Sequence, residues 1–391
     1  MLSVRNNGAM PTQMPVAGEL LTWARERSRT PVAALAKKFP KFPQWEQGTA
    51  HPTLKQLEGF AQTTRTPVGY FFLPRPPALP LPIPDFRTRR NDEILEPSPD
   101  LLETIYACQQ RQEWYRAFAV ATGEGTVAAV ATVPPGADIT ETASRMRAEL
   151  RFETTQRGSS WGEAFRFLAD NAEDIGVLVM TSGIVGSNTH RVLDPDEFGG
   201  FSLVDNYAPI VFINGADTKA AQIFTLAHEL AHIYSGQQGV DDSTPHAHAN
   251  TDVERWCSAV AGEFLVPDAE LAAGDAIDLG PEALDALAAR FRVSTLAILL
   301  RLRDTGFVTG DRFRTAYDAE LARVRRLAAE RKSSTGGNYY NTQPARTSKR
   351  FARALISDVL EGNTLYRDAF RMLGLKKQST FDKLAEHLQV G

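Results

Sequence analysis

Apolar positions along the chain repeat first at helical spacing, then at strand spacing, then at helical spacing again. Leu20, Leu21 and Ala24, followed by Val32, Leu35, Ala36 and Phe39, predict short helices over 17–72. Residues 97–122 read as one long helix starting near Ser98 or Asp100, and 139–152 and 160–174 as two more. A short apolar run, 175–180, reads as a strand. The runs 200–204 and 209–214 flank Asp205-Asn206-Tyr207, which predicts a hairpin. Two helices follow, at about 217–236 and 251–266. Beyond them lie a helix-turn-helix-like pair at 281–303, a basic helix at 312–331 and a small helical bundle at 347–388. Helices, a small sheet and more helices fit an α+β protein, mostly helical, rather than a parallel α/β sheet.

Breaks in this pattern mark boundaries. Residues 73–85 are so dense in proline that they cannot continue a helix and favour an extended backbone. The stretches 272–281 and 332–338 carry loop and turn composition. A chain of 391 residues has length for two or three domains. An apolar fraction of 43% with 23% charged residues is that of a globular protein. The net charge of −4 argues against a chain-wide nucleic-acid binder. Two cysteines, Cys108 and Cys257, exclude a disulfide framework and a cysteine zinc ribbon. Neither a secretory signal nor an 18-residue apolar run is found, so a cytoplasmic protein with no membrane partner is expected.

The strongest chemical signal is His228-Glu229-Leu230-Ala231-His232. On a helix, positions i and i+4 share a face, so both imidazoles can reach one ion about 2 Å away. Glu229 sits about 100° further round, beside the ion, where a general base for an attacking water is needed. A catalytic zinc needs a third protein ligand, and Glu254, 22 positions after His232, is the candidate. Glu254 also fits the third position of a capping box opened by Thr251. His246 and His248 read as solvated loop residues or stand-in ligands, and Cys257 as a small buried residue.

These residues resemble the ImmA/IrrE family of metallo-endopeptidases. The resemblance rests on Val211-Phe-Ile-Asn214, on the zinc-helix stretch 222–232, and on a second helix running from Glu254 to Leu265-Val266-Pro267. It implies a zincin-like pair of helices packed on the small sheet. It further implies one Zn2+ per chain held by His228, His232 and Glu254, with Glu229 as catalytic base. Around Trp45-Glu-Gln-Gly48, residues 52–57 and Phe71-Phe72, the chain is similar to the end of a phage-repressor-type helix-turn-helix domain. The expected order is therefore a helix-turn-helix-like domain (1–75), a linker (76–96), a metallopeptidase domain (97–275), a helix-turn-helix-like module with the basic helix (276–332) and a C-terminal bundle (333–391). Family members cleave or inactivate a partner repressor or toxin-like protein in stress responses or mobile-element control.

Two prolines in Phe39-Pro-Lys-Phe-Pro43 break the segment where a recognition helix would lie, which counts against base reading by the N-terminal domain. The most basic stretch, 310–353, holds eleven Lys and Arg against four Asp and Glu, a net of +7. It reads as a solvated face or as a site for an acidic partner or nucleic acid. The hairpin is expected to offer an exposed edge to an extended substrate, with Phe201, Leu203 and Tyr207 as candidate contacts. The favoured function is zinc-dependent cleavage of a partner protein. Its rival is a non-proteolytic antitoxin or transcriptional regulator with a structural or vestigial zinc site.

Overall fold

The structure is a computed structural model and describes residues 12–79, 97–237, 240–241, 252–271, 278–330 and 344–390. The chain divides into two compact units, Met1–Pro82 with Leu95–Glu103, and Ile83–Ile94 with Thr104–Gly391.

The first unit contains α1 (Gly18–Arg27), α2 (Val32–Lys38), α3 (Phe42–Glu46) and α4 (Leu54–Thr64), followed by a 3-10 turn over Val68–Phe72. Thr53 and Gln56 form a reciprocal capping box that starts α4. The core is aromatic: Phe42, Trp45, Phe60 and Phe71 are buried, and the Phe42 and Phe60 rings stack at 5.3 Å. Gly18 lets α1 approach α3, because a Cβ there would lie 2.1 Å from the Glu46 carbonyl oxygen. The helix over the predicted break is five residues long, with Pro43 in its first turn and both aromatics turned into the core. That leaves little of it to reach a base edge.

The second unit holds α5 (Pro99–Thr122) from Thr104 on, and its α6 (Ile139–Glu149) and α7 (Trp161–Asp174) lead to the sheet. Strands β1 (Leu178–Ser182), β2 (Gly200–Leu203), β3 (Ile210–Asn214) and β4 (Val240–Asp241) lie in the order β1-β3-β2-β4. The hairpin is present as predicted: β2 and β3 are antiparallel, with Phe201 opposite Phe212. The crossover is not local, since β1 pairs parallel with β3, Leu178 opposite Ile210.

Helices α8 (Lys219–Ser235) and α9 (Asp252–Leu265) pack on each other and on this frame. α8 also touches α7, β2 and β3, so it is enclosed on nearly every side. It starts at Thr218, whose side chain accepts the Ala221 N–H, and ends at Gly236 with φ 71°. α10 (Asp268–Leu271) is followed by α11 (Pro281–Phe291), α12 (Thr295–Asp304) and α13 (Gly310–Glu330). The helix that would read DNA in a helix-turn-helix pair, α12, buries Thr295, Ile298, Leu299, Leu300 and Leu302. It serves the core. The chain closes with α14 (Lys349–Leu360), α15 (Tyr366–Leu373) and α16 (Gln378–Leu388). Among the described residues no helix is long and apolar enough to cross a membrane.

Candidate metal centre

Helical spacing and the packing of α8 against α9 build one cluster. His228 and His232 are one turn apart on α8, and Glu254 stands in the first turn of α9. The His228 and His232 Nε2 atoms lie 3.1 Å apart. The Glu254 carboxylate spans them, Oε2 at 3.2 Å from His228 Nε2 and Oε1 at 3.2 Å from His232 Nε2. Both histidines are buried and Glu254 nearly so. Donors about 2.0–2.1 Å from a tetrahedral zinc are separated by roughly 3.3 Å, so this spacing fits the edges of such a site. Burial works to raise the Glu254 carboxyl, but hydrogen bonds to His228 and His232 outweigh it and hold it below the usual carboxylate range.

The surroundings favour the tautomer that a metal would need. Ser258, one turn beyond Glu254 on α9, places its hydroxyl 3.3 Å from His228 Nδ1. With Nδ1–H donating to that oxygen, Nε2 is left with its lone pair toward the cluster. The His232 Nδ1 is buried with no hydrogen-bond partner among the described residues. Two neutral imidazoles and a carboxylate are a donor set suited to zinc. Glu229, next to His228 in the chain, is fully buried and is not one of the three groups that converge.

Residues 172–303, about a third of the chain, match the family model described as the IrrE N-terminal-like domain. That match supports a metallopeptidase-like regulator family for this part of the chain and covers α8 and α9 with their histidines and glutamates. Residues 347–387, helices α14 and α15 and most of α16, match the model of a domain of unknown function. No curated protein and no solved structure matches the chain.

Other predicted contacts fare differently. Phe201 and Leu203 are buried, and the Phe201 ring stacks on Phe212 at 5.0 Å. Their side chains belong to the core. Every residue of β2 is buried, leaving this strand no solvent face. Its outer edge is also paired within the chain, Gly200 with Asp241 and Phe201 with Val240. Tyr207 is partly buried in the hairpin turn, its N–H donating to Asp205, and makes no hydrogen bond to the cluster among the described residues. Cys257 is buried. His246, His248 and Thr251 lie outside the described residues.

Sequence reasoning missed the supports of α9. Arg147, Arg157 and Arg301 gather at its C-terminal end, hydrogen-bonding the carbonyls of Glu263, Phe264, Leu265 and Val266. Arg301 also pairs with Glu263. Cations at this end meet the negative pole of the helix, and they fix the axis of the helix that carries Glu254.

Proposed function

We propose that this protein is a zinc-dependent metallo-endopeptidase-type regulator that cleaves a partner protein, a repressor or toxin-like protein in stress response or mobile-element control. The observation that carries this is the convergence of His228, His232 and Glu254 next to a buried Glu229 on the same helix. His228, His232 and Glu254 would hold the zinc. When bound, zinc supplies Lewis acidity, lowering the pKa of a water and polarising a scissile carbonyl. Glu229 takes the proton from the attacking water and delivers it to the leaving amine. Enclosure of α8 by the sheet, α7 and α9 keeps this carboxylate out of bulk water.

Zinc binding is tested directly. Elemental analysis should find one zinc per chain in the wild type and none in His232→Ala. Wild-type protein that stays empty after zinc is supplied would sink the reading. In the same competition against a chromophoric chelator, Ser258→Ala should weaken zinc binding by about 10–100-fold, because His228 loses its orienting partner. Ser258→Thr should restore much of it. Affinity unchanged in the alanine variant would mean that the hydroxyl only fills space.

In this proposal the first unit is a degenerate repressor-type domain used for protein contact. The five-residue α3, with Phe42 and Trp45 in the core, supports that reading. Fluorescence anisotropy with duplex DNA should then show only weak, salt-sensitive binding with no sequence preference. A sequence preference of 100-fold or more would restore base reading.

A further inference from the structure

A second site lies away from the metal centre, where the C-terminal helices meet α7 and strand β1 of the sheet. Strand β1 ends the sheet on that side, and α14 packs on it. Between them is a cavity of about 410 Å³, within the range of small-molecule sites. Phe165 of α7, Val179 of β1 and Leu388 of α16 give it apolar walls.

Its charge is not balanced. Two carboxylates line it, and both are already engaged. Asp170 holds the Lys349 ammonium at 2.6 Å. Glu173 accepts the backbone N–H groups of Lys349 at 3.0 Å and Arg350 at 3.2 Å, closing the first turn of α14. Two solvent-exposed arginines line the cavity with no carboxylate within ion-pair distance among the described residues, although Arg166 acts electrostatically on Glu163. Arg166 donates from Nε to the Gly162 carbonyl at 3.3 Å, and Arg353 from Nε to the Leu388 carbonyl at 3.3 Å. Neither bond uses the outer nitrogens of the fork. Lys219 is not a lining residue: its Nζ donates to Gln222 Oε1 at 2.7 Å and lies 4.8 Å from the centre of the Phe165 ring. Its pKa is pushed down, by burial first and then by Arg166. Guanidinium groups beside an apolar wall suit an anion carried on an apolar body.

We propose that this cavity binds a small organic anion, a carboxylate or phosphate monoester on a short apolar chain. The anionic head is met by Arg166 and Arg353, and the chain lies on Phe165, Val179 and Leu388. A site at the seam between the metallopeptidase-like part and the C-terminal helices would tie ligand binding to how firmly those helices hold. The site shares no residue with the metal centre.

The test is calorimetric titration of the full chain, zinc-loaded and zinc-stripped, with octanoate, octyl phosphate, octanol and inorganic phosphate. A ligand of octanoate's size is expected to bind at roughly 0.1–1 mM, one per chain. Octanol and inorganic phosphate should each be at least tenfold weaker, because each lacks half of the recognition. The octanoate and octyl phosphate arms tell a carboxylate from a phosphate head. Arg353→Glu should weaken the better of the two at least tenfold. Ala169→Phe, which fills the cavity without changing charge, should abolish binding. Circular dichroism checks that both variants fold, and if one does not, the other decides. Binding that vanishes when zinc is removed would place the anion on the metal and overturn the proposal. So would octanol binding as tightly as octanoate, or no heat from either anion.

Discussion

Glu229→Gln is expected to keep its zinc and to lose peptide cleavage by about 10²–10⁴-fold, the usual contribution of a general base. That is roughly 3–5 kcal/mol of transition-state stabilisation. Glutamine has nearly the shape of glutamate, and Glu229 is not among the three groups that converge, so the donor set is left intact. What is removed is a basic oxygen, fully buried and one residue from His228. Wild type and variant, each with measured zinc content, would be incubated with host lysate and new peptide termini mapped. Termini produced only by the wild type would establish hydrolysis and identify the partner. Equal zinc with no difference in termini would favour the non-proteolytic regulator, for which a base has no use.

This experiment could be designed from the sequence, because the residues that matter are spaced by one helical turn. His228 and His232 declare their shared face, and the apolar residues around them declare a buried helix. Glu254 was harder to read. Its nearness depends on how α9 returns against α8, which no local pattern encodes. The hairpin was legible from two apolar runs around a short polar turn, and β2 and β3 lie where those runs are. The first strand was placed three residues early. The apolar run begins at Ile175, but the turn ending α7 extends through it, with the Val177 N–H bonded back to Ala172 and Gly176 at φ 102°. Hydrophobicity marks burial, and here it marked buried turn and buried strand alike.

Charge was the least legible property. The run 310–353 looks like a single basic surface in the sequence. In the fold some of its members meet acids far away in the chain and others meet acids one turn away. Arg323 bonds Asp285 and Glu320, Lys349 bonds Asp170, and Arg350 bonds Glu124. Linear charge density predicts a surface field only when the partners are local. The arginines that matter to α9 show the opposite failure. Arg147 and Arg157 belong to no motif in the sequence, yet both are buried.

Arg157→Ala should therefore be among the most damaging single substitutions in the second unit. The side chain is 1% exposed, and its guanidinium lies 4.6 Å from the centre of the Phe152 ring. It donates to the carbonyls of Leu265 at 2.5 Å, Phe291 at 2.9 Å, Phe264 at 3.2 Å and Phe152 at 3.4 Å. Burial pushes its pKa down to about 9, which leaves it charged at neutral pH. Alanine would remove four charge-assisted hydrogen bonds, leave buried carbonyls without donors and open a cavity between α9 and α11. The expected cost is about 3–5 kcal/mol, read as a shift in the urea midpoint at constant slope. Arg157→Lys keeps the charge but not the planar fork that reaches several carbonyls at once, so it should recover only part of the loss. Zinc affinity should fall in the alanine variant as well, because α9 sets the position of Glu254. A variant as stable as the wild type would mean that water can replace the guanidinium at the end of α9. Lost stability with unchanged zinc affinity would mean that the first turn of α9 is held by α8 and α6 alone.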